Sequence, residues 1–157
     1  MAFETERKFL VRNQSWKKGK TGIYFCQGYL CSQPQRTVRV RIGANKAWLT
    51  IKGATTHLTR PEFEYPIPTE EAKEILALCS PNIVEKIRYR FLENGMYWEV
   101  DEFFGANSGL IVAEVELEHE DQKISLPDWT GKEISQDVRY TNACLAEHPY
   151  RDWPATK

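Results

Sequence analysis

Six stretches of this 157-residue chain carry charged side chains at alternate positions: Glu4, Glu6 and Lys8; Arg39 and Arg41; Glu62 and Glu64; Lys86, Arg88 and Arg90; Glu99 and Asp101; and Glu114, Glu116 and Glu118. Lys52 adds a lone cation in phase with Trp48 and Thr50. A spacing of two is the side-chain period of a β-strand, so each set shares one strand face. Like charges so placed repel, and an ordinary solvated sheet face mixes signs and neutral polar types instead. Taken alone, Glu4, Glu6 and Lys8 read as a solvated strand face, and Arg39 with Arg41 as a surface ladder. Taken together, the rows need compensation from one another. Crowded carboxylates stay ionised only beside cations, and hard divalent ions prefer oxygen ligands. Guanidinium forks fit phosphate oxygens bidentately. A polyphosphate held through one or two Mg2+ or Mn2+ ions answers both demands, with no Ser/His/Asp or Cys/His arrangement needed.

The elements that must position these groups are short strands. Alternation or β-branched and aromatic enrichment predicts strands over 1–10, 21–31, 36–43, 46–53, 60–67, 83–93, 96–103 and 110–120. Turn residues separate them at Ser32-Gln33-Pro34-Gln35, Gly43-Ala44-Asn45 and Asn94-Gly95. Helical spacing of Ala72, Ile75, Leu76 and Cys79 predicts one helix, with Thr69 as N-cap, Glu70 and Glu71 at its positive end, and Ser80-Pro81 as its stop. A helical turn over 15–17, a loop over 104–109, irregular chain beyond 123 and a second short helix over 137–147 complete the pattern.

Successive short strands point to an antiparallel sheet or barrel. Behind the charged rows stand Phe3, Phe9, Val38, Val40, Ile42, Leu49, Ile51, Phe63, Tyr65, Ile87, Tyr89, Phe91, Val115 and Leu117. Leaving that much apolar surface wet forgoes about 25 cal/mol per Å². A closed barrel with helices and loops outside it covers these faces and turns the charged rows into a lumen. Trp48 and Trp98 are expected between barrel and cover.

The totals narrow the class. The length suits a single domain over residues 1–157. A net charge of -1 excludes a globally basic nucleic-acid binder. Cys26, Cys31, Cys79 and Cys144 form no CxxC pair, which argues against a structural zinc site and for buried thiols in a reducing cytoplasm. No apolar run reaches membrane-spanning length, so no membrane partner is expected. His57, His119 and His148 are expected at the surface, and Lys17, Lys18 and Lys20 in a solvated loop.

The ordered motifs Glu4-Thr5-Glu6-Arg7-Lys8 (ExExK), VRVR at 38–41, TIKG at 50–53, RPEFE at 60–64, EKIRYR at 85–90, EVDEF at 99–103, AEVELE at 113–118 and DVRYTNACLA at 137–146 resemble the CYTH family, also called triphosphate tunnel metalloenzymes. Its members include class IV adenylate cyclases, thiamine triphosphatases and inorganic tripolyphosphatases. The resemblance implies a mainly β (α+β) fold, a closed eight-stranded antiparallel β-barrel with a few covering helices. It implies Glu4, Glu6, Glu116 and Glu118 as metal ligands, with Glu114 and Asp101 as further ligands or their supports. Lys8, Arg39, Arg41, Lys52, Lys86 and Arg88 would grip phosphate, and Glu4, Glu6, Lys8 and Glu116 would form the catalytic set. Glu62, Glu64 and Glu99 match supporting acidic positions, and Arg139 fits a C-terminal pattern. The implied activity is Mg2+- or Mn2+-dependent hydrolysis of a small-molecule triphosphate, foremost inorganic tripolyphosphate. An adenylate cyclase and a non-catalytic polyphosphate or nucleotide binder stay as alternatives, and a homodimer stays open.

Overall fold

The computed structural model describes residues 3–154; Met1 and Ala2 of the expected opening strand lie outside them. All eight expected strands form: β1 Phe3–Val11, β2 Ile23–Gln33, β3 Arg36–Gly43, β4 Lys46–Gly53, β5 Thr59–Ile67, β6 Ile83–Glu93, β7 Met96–Phe103 and β8 Ile111–Glu116. They run β5-β4-β3-β2-β6-β7-β8-β1, and a further β5–β1 pairing closes the ring into an eight-stranded barrel. Every pairing is antiparallel. The closing seam is short, with three Cα pairs: Phe3 with Pro61, Glu4 with Arg60 and Thr5 with Thr59.

Two hairpins owe their register to left-handed turn residues. Ala44 (φ 52°) and Asn45 (φ 62°) join β3 to β4, and Asn94 (φ 54°) with Gly95 (φ 75°) joins β6 to β7. Positive φ at both central positions twists the turn in the sense of the flanking strands.

Four expectations about the secondary-structure elements need correction. β8 stops at Glu116 rather than 120, because the chain turns at 118–120. The segment beyond 123 is not wholly irregular: β9, Thr130–Glu133, pairs with the Phe9–Val11 end of β1. Its sequence TGKE has no apolar alternation, so only the free edge of β1 past the seam makes it a strand. The helix α1 spans Thr69–Cys79 with Pro68, not Thr69, at the cap; Pro supplies no side-chain acceptor, and Glu70 and Glu71 serve the helix dipole instead. The stretch 137–147 divides into a 3-10 turn, Val138–Tyr140, and α2, Asn142–Glu147, with the Thr141 hydroxyl capping α2 at the Cys144 N–H. The turn at Ser15–Lys17 forms as expected.

The apolar faces do point outward, under partial cover. One core packs Phe9, Tyr89, Trp98, Val100, Ala113 and Val115 of the strands beneath Trp16 and Trp129. A second packs Val40 and Ala47 beneath Ala72 and Cys79 of α1. A third closes one end of the barrel, where Val84, Phe103, Leu110 and Val112 meet Ile134 and Leu145. The rest of the outer face of β4 and β5 is left bare, with Ile51, Phe63 and Tyr65 exposed, since the 11-residue α1 packs on Val40, Ile42, Ala47, Ile67 and Ile83 and does not extend over them. Trp98 lies in the outer core as expected, but Trp48 sits on the inward face of β4 with Thr50 and Lys52, against Phe25 and Arg41. Of the four free thiols only Cys79 is fully buried. No helix of the described residues is long and apolar enough to cross a membrane.

Close packing of α1 on β2 depends on Gly28. A Cβ there would fall 2.6 Å from the Cys79 Cβ and 2.8 Å from Ile83 Cδ1. Gly28→Ala is expected to cost about 1–3 kcal/mol by overpacking. A thermal melt should show Tm lower by several degrees, and an unchanged Tm would mean that α1 shifts freely.

Candidate functional site: a charge-balanced tunnel

Inside the barrel is a cavity of about 650 Å³. Its wall carries seven carboxylates, Glu4, Glu6, Glu62, Glu64, Glu99, Glu114 and Glu116, and seven cations, Lys8, Arg39, Arg41, Lys52, Arg60, Lys86 and Arg88. The single-sign rows are answered by the opposite sign on adjacent or next-but-one strands. Arg39 Nη2 and Arg41 Nη2 meet Glu64 Oε2 at 3.3 and 3.6 Å. Lys52 Nζ lies 2.9 Å from Glu4 Oε1 and 3.4 Å from Glu62 Oε2. Lys8 Nζ lies 3.7 Å from Glu114 Oε2. Arg88 reaches Glu99 at 3.3 Å and Glu114 at 3.4 Å. This mutual neutralisation makes a charged interior compatible with folding.

Asp101 is not on the cavity wall but directly behind it, 2 % exposed. Its carboxylate accepts a bidentate pair from Arg88, Nε at 2.8 Å and Nη2 at 2.9 Å, and meets Lys86 Nζ at 2.8 Å. Burial opposes its charge, but Arg88 and Lys86 more than offset that and hold the carboxyl far below the usual carboxylate range. Lys86 is pulled down to about 7, by burial first and by Arg88, against the pull of Asp101.

Two features leave the balance incomplete. The Nε atoms of Arg39 and Arg41 are buried without a hydrogen-bond partner, an arrangement that an anion with several oxygens would satisfy. Arg41 is further desolvated by its place over Phe25 and Trp48, 4.9 and 5.3 Å from the ring centres; burial and neighbouring Arg39 and Arg88 lower its pKa to about 10.

The second feature is acidic. Burial and the neighbouring charge of Glu114 push the Glu6 carboxyl well up. Burial also raises Glu114, but Lys8 and Arg88 outweigh it and keep Glu114 ionised. The two crowded carboxyls therefore resist being ionised together. Glu116 faces Glu6 across the β1–β8 ladder. Among the described residues no three acidic, His or Cys side chains are gathered tightly enough to enclose an ion. Even so, a crowded carboxylate pair that resists double ionisation, with a third carboxylate opposite, is a donor set suited to a hard divalent cation.

The structure thus brings Glu4, Glu6, Lys8, Arg39, Arg41, Lys52, Glu62, Glu64, Lys86, Arg88, Glu99, Glu114 and Glu116 to one cavity and sets Asp101 behind it. It does not bring Glu118, which follows the end of β8, is exposed, and donates its backbone N–H to Gln122. Arg90 is exposed too, stacked on Tyr97 at 4.1 Å. Arg139 binds Asp137 and lies over the Tyr140 and Trp153 rings outside the cavity.

Sequence reading missed Arg60, Tyr29, Gln27 and Asn142. Arg60 was findable, since it is in phase with Glu62 and Glu64; its opposite sign hid it. Gln27 donates to the Tyr29 hydroxyl and to Asn142 Oδ1, and Lys86 Nζ also donates to Asn142 Oδ1 at 3.0 Å. These neutral groups left no charge pattern, and Asn142 reaches the cavity from a separate element, α2.

The closed tunnel and its lining define a class: the chain belongs to the CYTH domain family, whose model matches residues 2–150. It is 44% identical over 154 residues to an inorganic triphosphatase of Acetivibrio thermocellus, across 98% of this chain and 99% of that protein. It is 34% identical over 148 residues to an inorganic triphosphatase of Nitrosomonas europaea, across 91% and 96%. A solved crystal structure of an inorganic triphosphatase matches the fold with a TM-score of 0.68 at 32% identity, covering 93% of this chain and 95% of that one.

Proposed function

We propose that this protein is a divalent-metal-dependent triphosphatase that hydrolyses inorganic tripolyphosphate inside the barrel. The observation that carries the reading is the enclosed wall itself: cations with buried, unpartnered donors stand opposite the clustered carboxylates Glu6, Glu114 and Glu116. The 44% identity to an inorganic triphosphatase over nearly the whole chain supports the substrate class. Among the described aromatic residues, only Tyr29 lines the cavity, and it accepts a hydrogen bond from Gln27. The inward aromatics beside the phosphate grips, Phe25 and Trp48, are taken up by the Arg41 guanidinium and do not line the cavity, which favours an inorganic chain over ATP cyclisation.

In this reading Glu6, Glu114 and Glu116, with Glu4, hold Mg2+ or Mn2+. When bound, the ion supplies charge neutralisation at phosphoryl oxygens and acidifies bound water. Arg39 and Arg41 leave Glu64 for phosphate oxygens and fill their empty Nε positions. Lys8, Lys52, Lys86 and Arg88 spread over the remaining oxygens and stabilise negative charge as it moves toward the leaving phosphate. Asp101 keeps Arg88 aimed at the cavity.

Phosphate release from tripolyphosphate with Mg2+ or Mn2+ tests this reading. Glu116→Gln and Arg41→Ala should each lose at least about tenfold in kcat/KM, as expected when a charge-stabilising contact made in the transition state is removed. Near-wild-type turnover in both would overturn it. With ATP, release of ADP and phosphate without cyclic AMP is expected.

Metal uptake should also be coupled to protons. The Glu6 carboxyl is raised, so it is protonated below its folded pKa, and a cation must displace that proton. Binding is expected to release on the order of one proton, with affinity rising as pH climbs through the Glu6 titration. Calorimetry in two buffers of different ionisation enthalpy measures the release; none would show Glu6 already ionised.

A further inference from the structure

Glu4 differs from the other wall carboxylates in how it is held. Arg60 Nε and Lys52 Nζ both donate to the same oxygen, Oε1, at 2.8 and 2.9 Å. Among the described residues no hydrogen bond reaches its other oxygen. Burial opposes the charge on Glu4, yet Lys52 and Arg60 hold its carboxyl at about 2, so it is ionised at any physiological pH. Two donors converging on one oxygen fix the plane of the group and leave the second oxygen to the cavity.

The two cations are not equivalent. Lys52 also serves Glu62 at 3.4 Å, and an ammonium is a rotating point donor that sets no direction. Arg60 brings a planar guanidinium whose Nε–H has a fixed heading. Its backbone anchors that heading, because Arg60 is the Cα partner of Glu4 in the three-pair seam where β1 meets β5.

We infer that Arg60 is a positioning residue: it orients Glu4 so that one carboxylate oxygen stays turned to the metal-binding side of the cavity. This inference rests on the metal-dependent reading proposed above. Its competitor is that Arg60 merely fastens the seam, as Arg7 fastens β1 to β9 by its pair with Glu133 outside the barrel, 2.8 Å.

Mn2+ binding to the full chain without substrate, measured by calorimetry, separates the two, with Tm recorded alongside. Arg60→Gln is expected to bind Mn2+ about 10–100-fold more weakly than wild type, the usual cost of losing a group that orients a ligand. Arg60→Lys keeps a cation on the seam and should recover part of that loss. Arg7→Gln should lower Tm and leave Mn2+ affinity unchanged. Wild-type affinity in both Arg60 variants would overturn the positioning role, whatever their Tm. A wild-type protein that neither binds Mn2+ nor cleaves tripolyphosphate would overturn the function reading, and this inference with it.

Discussion

Glu6→Gln is expected to leave the metal-free fold intact while lowering triphosphatase turnover at least about a hundredfold. Loss of a group behind a metal ligand costs about 10–100-fold, and loss of a ligand itself should exceed that. The unusual half of the prediction is the intact fold. In the metal-free tunnel burial and the charge of Glu114 favour the protonated form of Glu6. A protonated Glu and a Gln have nearly the same shape, and both are neutral. Stability without metal should therefore change by no more than about 1 kcal/mol, the scale of one hydrogen bond. The difference appears when Mn2+ is added. Wild-type Tm should rise, because a ligand that binds only the folded state stabilises it by mass action, and Glu6→Gln should show little rise. A metal-free variant that melts far below wild type would mean that Glu6 is ionised in the fold, against the expectation that burial and Glu114 keep it protonated.

Asp101→Asn is expected to be the most destabilising of these changes, by about 3–5 kcal/mol, because it strands two buried cations. Lys86 and Arg88 lose the carboxylate that both grip at 2.8 Å. Lys86 can shed its proton, since its pKa already stands at about 7, but Arg88 cannot. The pH dependence gives a second readout. The folded pKa of Asp101 is depressed, so its contribution is complete above the unfolded value of about 3.9 and is lost as pH falls toward the folded value. Urea titrations should show wild-type stability falling steeply below about pH 4 and the variant falling less. Equal stability of the two proteins at pH 7 would show that Asp101 is solvated and that Arg88 draws its orientation from elsewhere.

Both predictions concern residues whose type and spacing announced them, yet their roles separate by position. Glu114 and Asp101 each belong to an alternating acidic row. Only Glu114 lines the cavity; Asp101, paired across the sheet with Arg88, is driven behind it and becomes a support. Glu118 continues the row of Glu114 and Glu116 in sequence and leaves it in space, because β8 has ended.

The alternation of charged and apolar residues determined, without any structure, that strands would form and which face of each would be charged. The side-chain period of two is a local property of the backbone, so Glu4, Arg39, Glu64, Arg88 and Glu114 could be placed on the same side from sequence alone. Closure of the ring decided the rest. Which row faces which depends on the pairing of β1 with β5, residues 54 or more apart, and on the tilt that closure imposes on every strand. Only that geometry sets Arg60 and Lys52 on one oxygen of Glu4, brings the charge of Glu114 to bear on Glu6, and sends Asn142 from α2 to Lys86. Sign and phase are written along the chain, whereas distance between charges, and with it every pKa in the tunnel, exists only once the barrel is closed.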